Sequence, residues 1–378
     1  MHMKKRTVAL CTLLAAGLIA GCGSQSTGST SMAADTDNTA VSSSSVKEEV
    51  TATATPTEEA ISAVSVEQQD SGLPDGQMYS YLTGEPISTE TGTLRPFAIM
   101  INNLDAALPQ SGIGSADILY EAEVEGSITR MMAVFQDPTS INKIGPVRSS
   151  RHYYIYMADD SDAIYTHFGW SPQAQYIIEN QGLEHINGLT DGSGAFYRTS
   201  DRVAPHNVYV DGSKLPGLAE SAGYSLTHSS DYQPNLAFNT TDTDLTDGED
   251  AQVIHVGFSY DTPVLTYNSD DGLYYRSEYG AEQVDAETGN QLCFKNVIIQ
   301  QVTKEILGDG EHLELGMFGT GSGYYATNGK IVPITWEKDT QQDKTVYYDM
   351  SGNQLKLNPG KTMVEVINQE YSNTWGAE

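Results

Sequence analysis

Residues 23–78 contain no phenylalanine, tyrosine or tryptophan, and this segment limits where a fold can begin. Ser, Thr, Ala, Asp and Glu dominate it, and such a composition buries too little apolar surface to offset the entropy lost on ordering. We therefore expect residues 22–78 to be a disordered tether and the folded part to begin near Tyr79. About 50 flexible residues have a reach of about 40 Å.

The segment before the tether has the pattern of an export signal. Three basic residues, 4–6, precede an apolar run, 7–20, which is shorter than the roughly 20 residues that span a bilayer. The run ends in Ile-Ala-Gly and Cys22, which resembles a bacterial lipobox. This resemblance implies removal of residues 1–21 and acylation of Cys22, with palmitate as an expected lipid. The alternative is an ordinary signal peptide that contains a cysteine.

Acylation of Cys22 would fix the location of the chain. Each acyl CH₂ buried in lipid contributes about 0.8 kcal/mol, so several chains on one cysteine hold a protein on a membrane. We therefore expect an extracytoplasmic protein on the outer face of the cell membrane, in a Gram-positive envelope.

The strong negative charge narrows the classes of ligand. The chain has a formal charge of −30, so its overall field repels nucleic acid and anionic lipid. We therefore expect no nucleic-acid partner. Only a local group of cations could hold an anion.

Beyond Tyr79 the apolar runs predict an α+β fold in two parts. Residues 79–239 mix strand-like and helix-like runs, which predicts a mixed α/β domain. Strands are predicted at 96–103, 117–124, 128–135, 163–168 and 207–210, and helices at 150–158 and 173–180. Residues 253–368 consist of short β-branched and aromatic runs separated by Gly, Asn and Asp, which predicts a smaller, mostly-β domain. Residues 240–252 are interpreted as an acidic linker and 369–378 as a tail.

The arginines are concentrated in the first predicted domain. Five of the eight lie there within a short stretch: Arg130, Arg148, Arg151, Arg198 and Arg202. Arginine keeps its charge when desolvated, and its planar fork suits carboxylate and phosphate. Arg148 and Arg151 are expected to share one face at the start of a helix, whose free N–H groups also attract anions. The pattern predicts a pocket for phosphate or a sugar acid. In the alternative, the arginines only pair with nearby acids.

Three glutamates and two histidines are candidates for chemistry. Glu121, Glu123 and Glu125 alternate along a predicted strand, which favours a solvated face. In the alternative, Glu121 and Glu125 orient the arginines or hold Mg²⁺, Mn²⁺ or Ca²⁺. No other metal or cofactor is expected. His167 at a strand end and His206 in a loop are candidate general acids or bases, with a structural hydrogen bond as the alternative for each. Glu121, His167 and His206 are thus the catalytic candidates.

Several motifs, in order, resemble one family. They are RPFAIMINN, EGSITRMMAVF, KIGPVRSSRHYY, DAIYTHFGWSPQA and RVAPHNVYV, followed by GSGYYATNGKIVPITWEK. They resemble the YerB-like lipoproteins, a bacterial two-domain family of unknown function, over residues 95–368. The resemblance implies a surface lipoprotein but no activity. The resemblance adds Asn103 and Asn207 to the ligand-binding candidates, which also include Glu125. The positions that match the motifs of the family are Asn103, Asp117, Glu121, Glu125, Arg130, Arg148, Arg151, Ser171, Arg198, His206 and Asn207.

A weaker similarity involves the I-x-P-x-R step and the segment YTHFGWSP. Together they are similar to the LytR-CpsA-Psr phosphotransferases, whose arginines hold a polyprenyl pyrophosphate. The R-S-D and P-R-D motifs of that family have no convincing counterpart here. Three functions therefore stay open: binding of an anionic cell-wall or lipid-linked ligand, enzymatic action on phosphate esters or glycopolymers, and docking of another envelope protein. The sequence leaves the oligomeric state open.

Overall fold

The computed structural model describes residues 72–377. The predicted signal peptide 1–21, the predicted lipidation of Cys22 and the tether as far as residue 71 lie outside these residues. The last residues of the predicted tether already belong to a strand, which begins at Gln77. None of the helices in residues 72–377 has the length and apolar character needed to cross a membrane.

The described chain is mostly strand, with a few short helices. The helices are α1 (Thr89–Gly92), α2 (His152–Asp160), α3 (Pro172–Gln181) and α4 (Leu215–Ser221). The first strands are β1 (Gln77–Tyr79), β2 (Pro86–Ser88), β3 (Phe97–Asn102), β4 (Ile118–Glu123), β5 (Thr129–Phe135), β6 (Ile164–His167), β7 (His185–Asn187), β8 (Phe196–Arg198), β9 (Val208–Val210) and β10 (Ala237–Phe238).

The later strands come from the segment predicted to be mostly β. They are β11 (Glu249–Asp250), β12 (Val253–His255), β13 (Val264–Asn268), β14 (Leu273–Glu278), β15 (Ala281–Glu282), β16 (Cys293–Phe294), β17 (Asn296–Val302), β18 (Lys304–Ile306), β19 (Leu313–Leu315), β20 (Gly319–Thr327), β21 (Lys330–Lys338), β22 (Val346–Tyr348), β23 (Lys356–Leu357), β24 (Thr362–Asn368) and β25 (Thr374–Gly376).

One sheet of 11 strands runs through the described chain and combines both predicted parts. Its order is β11-β21-β20-β17-β24-β4-β5-β3-β6-β7, and β22 pairs with β21. The central strand β24 lies parallel to β17 on one side and to β4 on the other. Strands β4 and β24 come from different predicted domains, yet they are hydrogen-bonded neighbours. The two predicted domains therefore share one continuous sheet.

The central strands of this sheet are buried on both faces. Every residue of β3, β4 and β24 is buried. One core cluster contains Met100, Tyr120 and most of α2. The other contains Ile99, Leu119 and residues of a second, six-stranded sheet, β15-β14-β13-β12-β25 with β16 on β14. Helices α2 and α3 therefore cover one face of the central sheet, and the second sheet and α4 cover the other.

The predicted helix at 173–180 is confirmed, together with the signals that bound it. Ser171 is the N-cap of α3, and its hydroxyl accepts the Ala174 N–H at 3.2 Å. Pro172 occupies the first helical position, and Gly182 ends the helix with a left-handed backbone, φ 66°.

The helix predicted at 150–158 forms as α2, but it starts later. Its first residue is His152, and Arg151 is an N-cap with extended backbone. Bridges from Val147 to Ile101 and from Ser150 to Trp170 hold the preceding segment extended. The prediction that Arg148 and Arg151 share a helical face is therefore wrong.

Two segments predicted to lack regular structure each contribute a strand. The predicted acidic linker 240–252 contains β11, which pairs with β21 at the edge of the central sheet. The predicted tail 369–378 contains β25, which pairs with β12 in the second sheet. Both strands are only two or three residues long, too short for a periodicity to appear in the sequence.

A buried group of charges lies between the two sheets. Arg276 on β14 has no solvent exposure, and it pairs with Glu121 of β4 and, at 2.9 Å, with Glu278 of its own strand. Its Nε lies 3.7 Å from Glu365 of β24. Glu121 and Glu365 are register partners across the β4–β24 pair. One guanidinium thus faces three carboxyl groups.

Because three buried carboxyl groups face one cation, they hold protons at a higher pH than exposed carboxyl groups do. Burial raises the pKa of Glu121 and of Glu278 to about 8 and that of Glu365 to about 7, against the opposing charge of Arg276. Both Glu365 oxygens lack a hydrogen-bond donor within residues 72–377. The hydrogen bond between Glu121 and Glu365 raises the pKa of Glu121 and lowers that of Glu365, so the protonated Glu121 carboxyl is the donor and a Glu365 oxygen accepts.

We expect Glu365→Gln to weaken the dependence of stability on pH. The folded carboxyl holds its proton up to about pH 7, whereas an unfolded one loses it near pH 4.5. The free energy of unfolding of the native protein therefore falls as the pH rises through this window. The neutral amide should remove on the order of 1–3 kcal/mol of that fall. Urea unfolding at pH 5, 6.5 and 8 measures it, with the exposed Glu220→Gln as the control. If the free energy of unfolding depends on pH equally in Glu365→Gln and in the native protein, the raised pKa of Glu365 is contradicted.

Candidate functional site

An extended segment between β5 and α2 places two arginines beside a third. This segment pairs with β3, because the Arg148 N–H donates to Met100 O at 3.0 Å and the Asn102 N–H donates to Pro146 O at 2.8 Å. Arg130, in β5, is the register partner of Asn102. Arg148, Arg151 and Arg130 therefore meet at the end of β3, and we call them the arginine cluster.

The same segment brings the β8–β9 hairpin to the cluster. The Val147 N–H donates to Val208 O at 2.7 Å, and Ile144 exchanges two hydrogen bonds with Val210. Gly145 permits this close approach: a Cβ there would lie 2.9 Å from Val208 O, and its φ is 144°. The loop between β8 and β9 then reaches Arg148, whose Nη1 donates to Pro205 O at 3.3 Å.

The three arginines differ in what neutralises them. Arg151 forms a bidentate ion pair with Glu125: its Nε donates to Oε1, and its Nη2 donates to Oε2 at 2.6 Å. This contact, together with the charge of Arg151, outweighs the effect of burial and lowers the pKa of Glu125. His312, which precedes β19, also approaches Glu125: its Nε2 lies 3.8 Å from Glu125 Oε1.

Arg130 and Arg148 have no acidic partner within the described chain. Arg130 is only 5% exposed, and its Nη1 donates to the Ser149 carbonyl. The Nε atoms of both arginines are buried without a hydrogen-bond acceptor. Burial and the charges of Arg151 and Arg148 lower the pKa of Arg130 to about 10. The cluster with Glu125 thus carries about two uncompensated positive charges.

His206 lies at the rim of the cluster in a fixed orientation. Its Nδ1 is 2.7 Å from Asn102 Nδ2. Asn102 Oδ1 accepts the Leu104 N–H at 3.2 Å, so the amide nitrogen is the atom that faces the ring. Burial and the charges of Arg148 and Arg202 lower the pKa of His206. The ring is therefore held neutral, with Nδ1 as acceptor and the proton on Nε2.

The other predicted ligand-binding residues of this hairpin have partners of their own. Arg202 donates to the carbonyls of Ala107 and Pro109, which ties the β8–β9 loop to the turn after β3. Arg198 is exposed and donates to Asn207 Oδ1 at 2.8 Å. Arg198 and Asn207 thus form a separate pair, while Arg202 positions the loop.

Two predicted candidates lie in the buried group of charges instead. Glu121 has no exposure, so the prediction that it lies on a solvated face is wrong, and the buried Glu123 shares this correction. Asn103 donates to Glu121 at 2.9 Å and to Glu278 at 2.7 Å. Asn103 and its neighbour Asn102 direct their side chains to different groups, and Asn102 is the one that contacts His206.

His167 is enclosed within the protein. Its Nδ1 lies 2.8 Å from Gly169 O and its Nε2 lies 3.0 Å from His185 Nδ1. Burial and the neighbouring His185 lower the pKa of His167 to about 3. Because both ring nitrogens are engaged and the ring has no exposure, the structural alternative describes this residue best.

The divalent-cation alternative finds no support in residues 72–377. No group of three or more His, Cys, Asp or Glu side chains in this range could hold a metal ion. Glu121 contacts Arg276 and Glu125 contacts Arg151, so each carboxylate already has a cation beside it.

Sequence reasoning missed the residues that face Glu121. Arg276 and Glu278 alternate along β14, and Glu365 interrupts the apolar run TMVEVIN. A charged residue within such a run signals a buried, paired charge. Asn102 gives no comparable signal, because two adjacent asparagines look alike in sequence.

Comparison with known proteins places this arrangement in a family. Residues 82–225 match "Protein of unknown function (DUF3048) N-terminal domain", and residues 240–364 match its C-terminal domain. A Bacillus subtilis (strain 168) protein named "Putative lipoprotein YerB" is 30% identical over 304 residues, which are 79% of this chain and 90% of that protein. The chain belongs to the YerB family. The fold is also similar to that of the crystal structure of Bacillus subtilis YerB, with a TM-score of 0.69 and 30% sequence identity. The match covers 79% of this chain and 99% of the chain in that crystal structure.

These comparisons confirm the family predicted from the ordered motifs. They also assign two named parts to the chain, although the strands of both parts form one sheet here. The descriptions of the matching family name no activity.

We expect Glu125→Gln to destabilise the protein by roughly 1–3 kcal/mol at low ionic strength. The change leaves Arg151 without a counter-ion beside two other cations, and Glu125 is 14% exposed, so water screens the repulsion poorly. Added sulfate should restore part of the loss by acting as a replacement anion. Denaturant unfolding with and without sulfate measures both effects, and the exposed Glu220→Gln provides the control. An equal response to sulfate in both variants would contradict a role for Glu125 in charge balance.

Proposed function

We propose that this YerB-family protein binds an anionic ligand of the cell envelope, with phosphate or sugar-acid groups, through the arginine cluster. One observation carries the proposal: Arg130 is almost fully buried yet contacts no acid in the described chain. A buried, unpaired charge is unfavourable by several kcal/mol, and this favours a site that is completed by a bound anion.

The surroundings of the cluster support binding. The chain has acids in large excess, yet within residues 72–377 only Glu125 forms an ion pair with a member of the cluster. The N-terminus of α2, which has no side-chain cap, adds its backbone dipole beside Arg151. Two of the catalytic candidates, Glu121 and His167, are enclosed in the core and remote from any ligand at the surface. These features favour a binding protein over an enzyme.

The second part of the proposal concerns location. We propose that lipid on Cys22 anchors the protein to the outer face of the membrane and that residues up to 71 link the anchor to the folded part. A local cluster of cations would then hold a ligand close to the cell surface. The lipoprotein name of the Bacillus subtilis relative supports the anchor.

Sulfate should stabilise the native protein more than chloride does at matched ionic strength. A ligand present at about 100 times its Kd adds about 2.7 kcal/mol to the free energy of unfolding. Arg148→Ala should lose at least half of this sulfate-specific gain. Arg148 has no acidic partner within residues 72–377, so the substitution breaks no ion pair of the described protein. The matched control is Arg198→Ala, outside the cluster. Differential scanning gives the midpoints, and an unchanged gain in Arg148→Ala would refute the proposed site.

Cys22→Ser should release the protein from the membrane into the medium, because the substituted chain cannot be acylated. Fractionation of cells followed by immunoblotting measures the distribution, with Cys293→Ser as a control that leaves the lipobox intact. Retention of Cys22→Ser in the membrane fraction would overturn the proposed anchor.

A further inference from the structure

The number and type of free donors at the arginine cluster narrow the class of ligand. This inference rests on the proposed anion binding and deepens it. Arg151 is neutralised by Glu125, which leaves Arg130 and Arg148 as two cations without an acid partner in residues 72–377. Their Nη2 atoms donate to no protein atom in the same range. A ligand with two negative charges would balance them, whereas a single carboxylate would leave one charge uncompensated.

His206 adds a donor of a different kind. The chain of hydrogen bonds from the Leu104 N–H to Asn102 Oδ1, and from Asn102 Nδ2 to His206 Nδ1, leaves the ring proton on Nε2. Asn102 is 2% exposed, which holds this arrangement in place. Asn102 Nδ2 already donates to Nδ1, so a second ring proton, which would have to bind Nδ1, would face the N–H group of Asn102. His206 can therefore donate a hydrogen bond without bringing charge, and it is poorly suited to act as a base through Nε2.

The donors come from three separate elements. Arg130 lies on β5, Arg148 on the extended segment, and His206 in the β8–β9 loop beside Pro205, which Arg148 contacts. A planar carboxylate has two oxygens in one plane, whereas a terminal phosphate has three oxygens directed apart. Donors that come from three separate elements fit the three oxygens of a terminal phosphate better than the two oxygens of a carboxylate.

We infer that the cluster binds a dianionic terminal phosphate group, a phosphate monoester or diphosphate, with Arg130 and Arg148 balancing its charge and His206 donating through Nε2. Such a group occurs on soluble esters and on lipids. The chemistry at the cluster is the same for both sources.

Calorimetry on the full chain with matched model ligands tests this inference. Methyl phosphate loses its second proton near pH 6, so its affinity should rise about tenfold between pH 5 and pH 7.5 if the dianion is bound. Dimethyl phosphate and glucuronate carry one charge throughout this range, and they should bind at least tenfold more weakly at pH 7.5. Equal binding of the three would overturn the dianion inference and leave anion binding intact. If none of them binds, the proposed function itself fails.

The role of His206 has an independent measurement. Two-bond ¹⁵N–¹H spectra of the native protein should show the proton on Nε2, and Asn102→Ala should abolish that preference without removing any cation. His206→Ala should weaken methyl phosphate binding about fivefold or more, and His206→Gln, which retains an N–H donor, should recover part of the loss. A proton on Nδ1, or equal binding by His206→Ala and native protein, would overturn the assignment.

Vesicles separate the two sources of the phosphate group. The Cys22→Ser full chain, which cannot insert its own lipid, is sedimented with vesicles of phosphatidic acid or of phosphatidylglycerol. Binding to the monoester lipid alone supports a lipid ligand, and binding to methyl phosphate without either vesicle supports a soluble one. Equal sedimentation with the diester lipid would contradict selection of a dianion.

Discussion

The structure depends on one buried cation, Arg276, which holds two sheets together. It reaches Glu121 on the central sheet, Glu278 on its own strand and Glu365 on β24. Removing one partner of such a buried group typically costs 3–5 kcal/mol, because the remaining charges stay desolvated. The contact between Arg276 and Glu121 joins residues 155 positions apart, so it fixes the packing of distant parts of the chain.

The consequences of this cation extend to the candidate site. Asn103 donates to both Glu121 and Glu278, and it directly follows the last residue of β3. With Asn103 held in the core, the neighbouring Asn102 is positioned to orient His206. The molecule thus has two contrasting arginine environments. Arg276 faces three carboxyl groups, whereas Arg130 has no acidic partner within residues 72–377. This contrast supports the proposal that Arg276 is structural and that Arg130 binds a ligand.

Much of the fold could be predicted from the sequence, because it depends on local patterns. Short, largely apolar runs predicted β3, β4 and β5, and the Ser-Pro start with a terminal glycine predicted α3. The joining of β4 to β24 could not be predicted, since neither run carries information about its neighbour in the sheet. The start of α2 was misplaced because bridges from Val147 and Ser150, which are tertiary contacts, keep the arginine segment extended.

Prediction of the site was partial for similar reasons. Arg130, Arg148 and Arg151 are among the five arginines that the sequence groups together, and the fold brings these three close to one another. The sequence could not separate them from Arg198, which pairs with Asn207, because the distinction depends on side-chain partners. Glu121 was read as exposed because alternation along a strand identifies two faces without saying whether a second sheet covers one of them.

The central position of β24 has a consequence for how the chain is made. This strand, near the C-terminus, fills the gap between β17 and β4 in the middle of the sheet. Until Thr362–Asn368 has been synthesised, β4 lacks a neighbour on one side, and Glu121 and Arg276 lack part of their surroundings. Pairings between distant segments form slowly, since a long loop must close before any contact compensates for it. The chain should therefore stay incompletely folded until this strand has been synthesised, which suits the proposed export by a route that accepts unfolded polypeptides.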